Sequence, residues 1–416
     1  MGEPIRILHI VGAMYPGGVE NFIMNLYRRI DRERFQFDFV VHSRRDNDYI
    51  PEIESLGGRV YELPRLVRHP VSNLRQIRTL VEENGYAAVE RHTANALVAP
   101  QLLAAKSGGA VPVCHSHSSD DPQFLLHRAG RLLLPAAAGV RLACSEQAGH
   151  WMYGEKYRAG MLSFEEDSPA KAPGGGAALT EGAAESSGTE KRTGPKARHP
   201  RGRLQEKGTF RVIRNAVDIG RFSFSQEKRD RVRRELGLEG KHLYGNVGNY
   251  IEVKNHPYQL RIYREILRRD PDAVCLCIGE GEKRPQIEAQ IQEMGLEGRV
   301  ILTGLRSDVD ACLSALDVLI FPSIFEGLPL SLIEAQAAGL PMLVSDVITP
   351  EAAVTEGLVE YRPIEEDPAL WADRAVELAA QSRDRTCQRE RIAAAGYDLE
   401  TLIAWYERFY TECAAM

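Results

Sequence analysis

Short β-rich runs alternate with helical patterns along most of this chain, and the alternation runs twice. Residues 5–11 (IRILHIV), 35–41 (FQFDFVV), 111–115 (VPVCH) and 140–144 (VRLAC) read as strands, with helical stretches such as 19–30 and 71–83 between them. The same order resumes at 243–248, 273–278, 299–302, 317–321 and 341–345. Strand–helix alternation builds a parallel sheet with helices on both faces. The expected fold class is therefore α/β, with two doubly wound domains. A chain of 416 residues exceeds one ordinary core, which agrees with two domains. The expected boundaries are 1–220 and 221–400, followed by a helix over 401–416 that can pack back toward the first domain.

Residues 159–207 break the pattern. They are rich in Gly, Ala, Pro, Ser and charge and carry no periodic apolar positions. Such a composition cannot bury enough surface to offset the entropy of ordering, so a disordered insertion acting as a solvated spacer is expected. A net charge of −6 argues against a nucleic-acid partner, which would require a basic face. The seven cysteines include no CxxC pair, and Cys275 and Cys277 alternate within an apolar strand. Buried thiols in a reducing compartment are expected rather than disulfides or metal. The first residues, MGEPIRILHIVG, have no signal-peptide layout, and no 18-residue apolar run exists, so a cytoplasmic protein is expected.

The stretch 321–341, FPSIFEGLPLSLIEAQAAGLP, places two glutamates, Glu326 and Glu334, in apolar surroundings. The strand before Glu326 is buried, Pro329 can start a helix, and Gly339 with Pro341 can end it. Glu326 then lies at the carboxyl end of a parallel strand, and Glu334 about one turn into the next helix. Ligands of open α/β sheets bind at that edge, and helix N-termini favour phosphate. Two carboxylates there suit the hydroxyls of a ribose and a hexose. The plainer alternative, a first-turn helix acid and a solvated loop acid, stays open on spacing alone.

This glutamate pair, with seven residues between, closely resembles the signature of retaining glycosyltransferases of family 4. Further segments carry the same resemblance: MYPGGVENFIMNL (14–26), VCHSHSS (113–119), ACSEQAGHWMYG (143–154), VIRNAVD (212–218), VGNYIEVKNH (247–256), IGEGEKRPQIE (278–288) and TGLRSDV (303–309). It covers nearly the whole chain outside the insertion and is strongest toward the capsular and exopolysaccharide branch. It implies the GT-B fold, two Rossmann-like domains facing across a cleft. It also implies a nucleoside diphosphate sugar as donor substrate, no other cofactor and no metal. The implied acceptor is a glycan or lipid-linked glycan, with peripheral contact at the inner membrane face.

The resemblance assigns roles residue by residue. Glu326 and His117 become the catalytic candidates, with His115 as the fallback for His117. Gly17, Gly18, Lys254, Asn249, Gly279, Gly281, Gly327, Leu328 and Glu334 become the donor-binding candidates. The family's clamping arginine is replaced here by Asn249; Arg306 can supply a second charge, but reads more readily as a surface-loop arginine. His115 and His117 alone could suggest a metal, but no carboxylate stands at ligand spacing in the sequence, and Asp120 and Asp121 read as helix caps. The mixed stretch 124–134 (FLLHRAGRLLL) can be a basic amphipathic surface helix or a half-buried one. Two other functions share these features: a sugar-nucleotide 2-epimerase, and a weakly active sugar-nucleotide-binding partner of a transferase.

Overall fold

The computed structural model describes residues 2–15, 17–46, 48–117, 124–161, 205–326, 328–381, 384–385 and 388–416. Most of the expected insertion, residues 162–204, and Gly327 lie outside the described residues. The chain forms two compact units. The first is Met1–Tyr15, Glu33–Ile213 and Phe409–Met416; the second is Pro16–Arg32 and Arg214–Arg408.

In the first unit, eight strands are present among the described residues: β1 (Ile5–Ile10), β2 (Phe35–Val41), β3 (Val60–Glu62), β4 (Ala88–Thr93), β5 (Val111–Ser116), β6 (Val140–Ala143), β7 (Arg158–Met161) and β8 (Thr209–Val212). They pair in the order β3-β2-β1-β4-β5-β6-β8-β7, every pairing parallel. In the second unit, β9 (His242–Val247), β10 (Ala273–Ile278), β11 (Val300–Gly304), β12 (Val318–Phe321), β13 (Met342–Ser345) and β14 (Val359–Arg362) pair in the order β11-β10-β9-β12-β13-β14, also all parallel. Strand order reverses between β1 and β4 in one sheet and between β9 and β12 in the other. These are the switch points outside whose carboxyl ends doubly wound sheets bind ligands.

The central strands are apolar because both faces are covered. All six residues of β10 and all four of β12 are buried. The apolar pattern locates most strands within a residue or two, but it misses β3, β4, β7 and β14. The omission of β4 matters most. Its sequence, AVERHT, places Glu90, Arg91 and His92 at the centre of a parallel sheet. Among the described residues, no helix is long and apolar enough to cross a membrane.

Candidate active site

In the second unit, the loops after β9 and β12 are tied to each other. Ile324 N–H donates to the Val253 carbonyl at 2.8 Å, and Asn255 Nδ2 donates to the Pro322 carbonyl at 3.1 Å. Asn255 holds this turn with a left-handed backbone, φ 55°, a conformation that asparagine tolerates better than most residues. The result brings Lys254 Nζ to 2.7 Å from Glu326 Oε1, with both side chains largely covered at 11% and 17% exposure. The ammonium also lies 4.7 Å from the Phe321 ring centre, a cation–π arrangement that anchors it from below. A cation and a carboxylate thus face each other at the carboxyl edge of the switch point.

The helix Leu330–Ala337 follows, with Pro329 at its N-cap position and Gly339 at φ 59° beyond its end. Glu334 is partly buried on it, and burial pushes its carboxyl up to about 7. Arg221 pulls the other way, and Asp310, which pairs with Arg221 at 3.2 Å, adds to the rise. A carboxyl raised from its ordinary 4.5 binds its proton more tightly in the folded chain than in the unfolded one. Its contribution to stability is therefore greatest below pH 4.5, falls as pH rises toward 7, and is flat above. Replacing Glu334 by Gln should remove that part of the pH dependence of the melting temperature, measured without ligand between pH 5 and 8. An unchanged profile would show that Glu334 is ordinary in its acidity.

The other donor-side candidates divide. A methyl added at Gly279, φ 152°, would sit 2.0 Å from the Gly248 carbonyl oxygen, and one at Gly281 would sit 2.5 Å from that of Tyr250. Both glycines are needed for backbone to pass against backbone, whatever else they do. At Gly18 an added methyl meets no protein atom within 4 Å, so packing makes no demand for glycine there. Gly17 is the extended N-cap of the helix Gly18–Arg29 and offers no side-chain cap. Asn249 is exposed, and Leu328 packs at the edge of the second unit's core. Arg306 is already engaged: it pairs with Glu235 at 2.7 Å and Asp308 at 2.8 Å, with only 15% of its side chain exposed. It is thus a member of an ion-pair network, neither a free second charge for a diphosphate nor a solvated surface-loop arginine.

In the first unit, β1, β4 and β5 bring four histidines and a glutamate together. The registers pair His9 with Glu90 and His92 with His115. Glu90 is fully buried; its Oε1 accepts from His115 Nδ1 at 2.8 Å and its Oε2 from the Tyr410 hydroxyl at 2.8 Å. His9 Nδ1 lies 3.0 Å from His92 Nε2, and His92 Nδ1 lies 2.9 Å from His117 Nε2. Burial lowers His9 to about 4, His115 to about 3, and His92 and His117 well below the ordinary imidazole value, so all four are neutral near pH 7. Each neutral ring has one N–H, so the chain His9–His92–His117 must run in one direction. His9 Nε2 is buried without a hydrogen-bond partner. Through the chain of rings, the proton position on His117 is coupled to those on His92 and His9. His117, partly buried at the carboxyl edge of β5, is therefore tied to groups that sequence reading did not connect.

This cluster also corrects the argument about metal. A carboxylate does stand by the histidines, but on the neighbouring strand: Glu90. The rings of His92, His115 and His117 offer nitrogens within 4.8 Å of one another, a donor set that could hold a transition-metal ion. His127 serves packing. Buried, it stacks on Trp151 with ring centres 4.3 Å apart, accepts from Ala96 N–H at 3.1 Å and bonds the Trp151 carbonyl at 3.0 Å. This supports a helix at 124–131 with one face turned inward, while Leu132 is 83% exposed just beyond it. Asp120 and Asp121 lie outside the described residues.

Comparison with known proteins places the chain in a family. Residues 16–152 match the model of Glycosyltransferase Family 4, and residues 228–393 match that of Glycosyl transferases group 1. EpsF of Bacillus subtilis (strain 168), whose name marks it as a glycosyltransferase, is 29% identical over 408 residues, covering 95% of this chain and 93% of that protein. The UDP-Gal:alpha-D-GlcNAc-diphosphoundecaprenol alpha-1,3-galactosyltransferase of Escherichia coli is 35% identical over 140 residues, 33% of this chain and 36% of that protein. The crystal structure of Anabaena Alr3699/HepE in complex with UDP shares the fold at a TM-score of 0.68 and 17% identity, covering 97% of this chain and 98% of that one. With both Rossmann-like sheets, the glutamate pair and family matches across most of its length, this chain is a GT-B enzyme that belongs to the glycosyltransferases of family 4.

Proposed function

We propose that the enzyme moves a hexose-type sugar, with retention of anomeric configuration, from a nucleoside diphosphate to a hydroxyl of a glycan or lipid-linked glycan. The reaction serves polysaccharide assembly at the cytoplasmic membrane face. The observation that carries this reading is the Lys254–Glu326 pair at the β9/β12 switch point. A diphosphate arriving there meets an ammonium held 2.7 Å from a carboxylate. Lys254 would take the leaving diphosphate, where negative charge grows in the transition state. Glu326, relieved of its partner, would face the sugar and the positive charge developing at the anomeric carbon. Glu334 would hold the ribose hydroxyls, and neutral His117 would orient the sugar or acceptor hydroxyl. Asn249 would add a neutral hydrogen bond where relatives of the family place an arginine.

Two comparisons support the substrates. The HepE crystal contains UDP, and the E. coli relative is named for a UDP-sugar donor and a diphospholipid-linked acceptor. No step in this reading needs a metal.

The test is a thermal-shift screen against UDP-, GDP-, ADP- and dTDP-sugars, followed by transfer assays with the stabilising donor. A donor at 100 times its dissociation constant should stabilise the chain by roughly 2.7 kcal/mol. Transfer should persist in excess EDTA; activity that returns only with added Mg²⁺ or Mn²⁺ would sink the metal-free mechanism. Epimerisation of the free donor without any acceptor would replace transfer as the function.

A further inference from the structure

The first unit carries a cavity that none of the candidate residues described above lines. The cavity, of about 380 Å³, opens at the carboxyl edge of β1, β2 and β4, lined by Arg65, Arg68, Arg91, His42 and Asn95, with Val67 and Leu97 at its apolar side. No acid lines it among the described residues. Arg91 is its floor. Alternation along β4 turns Arg91 away from the face that carries Glu90 and His92. Its Nε donates to Gln101 Oε1 at 2.9 Å, and its Nη1 donates to the Ile10 carbonyl at 3.0 Å and to the carbonyl of His92. These partners are all neutral, and Nη2 has none among the described residues. Burial pushes the guanidinium down to about 10, so it stays charged at neutral pH. His42, which bonds the Leu63 carbonyl at 3.0 Å, is pushed down by burial and then by repulsion from Arg91 and Arg65.

The rest of the cavity is attached to this floor. Gln101, buried, donates to Asn73 Oδ1 at 3.0 Å, and Asn73 donates to the Pro64 carbonyl at 2.7 Å. Pro64 leads directly into the turn in which Arg68 and His69 N–H groups bond the Arg65 carbonyl. One continuous hydrogen-bond chain thus sets the position of Arg91 relative to the turn bearing Arg65 and Arg68. Neither of those arginines has an ion pair or side-chain hydrogen bond among the described residues. Three arginines line this cavity without a carboxylate, and an anion bound there would offset the repulsion among their charges. Beside them Val67 is 82% exposed and Val71, in the first turn of the next helix, 71% exposed.

We infer that this cavity binds the phosphate or diphosphate group of the acceptor, with Val67 and Val71 facing the apolar chain of a lipid-linked one. This rests on the transfer reading above for the word acceptor, and on the cavity alone for the anion.

The test uses the full chain and the variant Arg65→Ser/Arg68→Ser, whose exposed side chains leave the core intact. Inorganic pyrophosphate binding is measured by calorimetry with the donor site saturated by the matched nucleoside diphosphate. Transfer is measured with a polyprenyl-diphosphate-linked sugar in detergent and with a water-soluble sugar phosphate. The variant should weaken pyrophosphate at least about tenfold and raise the acceptor KM by a similar factor, with kcat and donor affinity unchanged. Arg91→Gln should do the same more strongly. Preference for the polyprenyl acceptor over the soluble phosphate supports the lipid-linked source; equal use assigns the site to the phosphate alone. If wild type does not bind pyrophosphate, or if the variant keeps the wild-type affinity and KM, the inference falls. If pyrophosphate binding is lost in the variant but neither acceptor is glycosylated, the transfer reading has failed and the anion site stands.

Discussion

Glu326→Ala should lose transfer by about 10²- to 10³-fold in kcat while binding the donor nucleotide at least as tightly as wild type. The two halves of that expectation come from one contact. Without ligand, Glu326 occupies Lys254 at 2.7 Å. Removing the carboxylate frees the ammonium for the diphosphate, so affinity holds or improves. The developing charge on the transferred sugar loses its counter-charge, so turnover falls. Lys254→Ala should weaken donor binding and turnover together, because the leaving group loses its cation. Stability should fall modestly in either single variant, because each leaves a largely covered charge without its partner, although Phe321 remains against Lys254 when Glu326 is gone. Kinetics and melting of the two single variants and the double variant decide the matter. A pair that serves folding alone would give two destabilised single variants, a double variant recovering stability, and kcat values near wild type.

The members of this pair could each be nominated from the sequence, but their contact could not. The strand pattern placed Glu326 after a buried strand and Lys254 after another, and the resemblance gave each a role. What joins them is the reversal of strand order that sets β9 beside β12, together with two loop hydrogen bonds. Neither leaves a trace in local periodicity. The first unit shows the same limit more sharply. Strand β4 carries Glu90, Arg91 and His92, polar residues that an apolar-run criterion rejects. They are tolerated because each has an internal partner: Tyr410 and His115 for Glu90, Gln101 and two carbonyls for Arg91, two imidazoles for His92. The hydroxyl that holds Glu90 is 320 residues away in sequence. A buried charge whose partner arrives from the far end of the chain is legible only after folding. The expectation that no carboxylate accompanied the histidines failed for that reason.

Glu90→Ala should be the most damaging substitution in the first unit. Glu90 is fully buried and accepts from His115 Nδ1 and the Tyr410 hydroxyl, both at 2.8 Å. Truncation strands two buried donors and leaves a cavity between them. Breaking such a buried network typically costs about 3–5 kcal/mol. For a unit of this size that corresponds to a melting temperature lower by roughly 6–20 °C. Glu90→Gln should cost less, since its carbonyl oxygen can still accept from one of the two donors, though not from both in the original geometry. Tyr410→Phe should cost least, since it removes one hydrogen bond and leaves Glu90 with His115. The order Ala, Gln, Phe of decreasing damage is the signature of a hydrogen-bonded network; mere volume loss would place Gln near wild type. The function should follow through the histidines. His115 holds its ring 4.1 Å from that of His117, and releasing it from Glu90 lets both rings turn. Glu90→Gln should therefore lower kcat more than it changes donor affinity, measured below the melting range of the variant. A Glu90→Ala protein that melts within about 2 °C of wild type would show that the carboxylate is not what holds the cluster together.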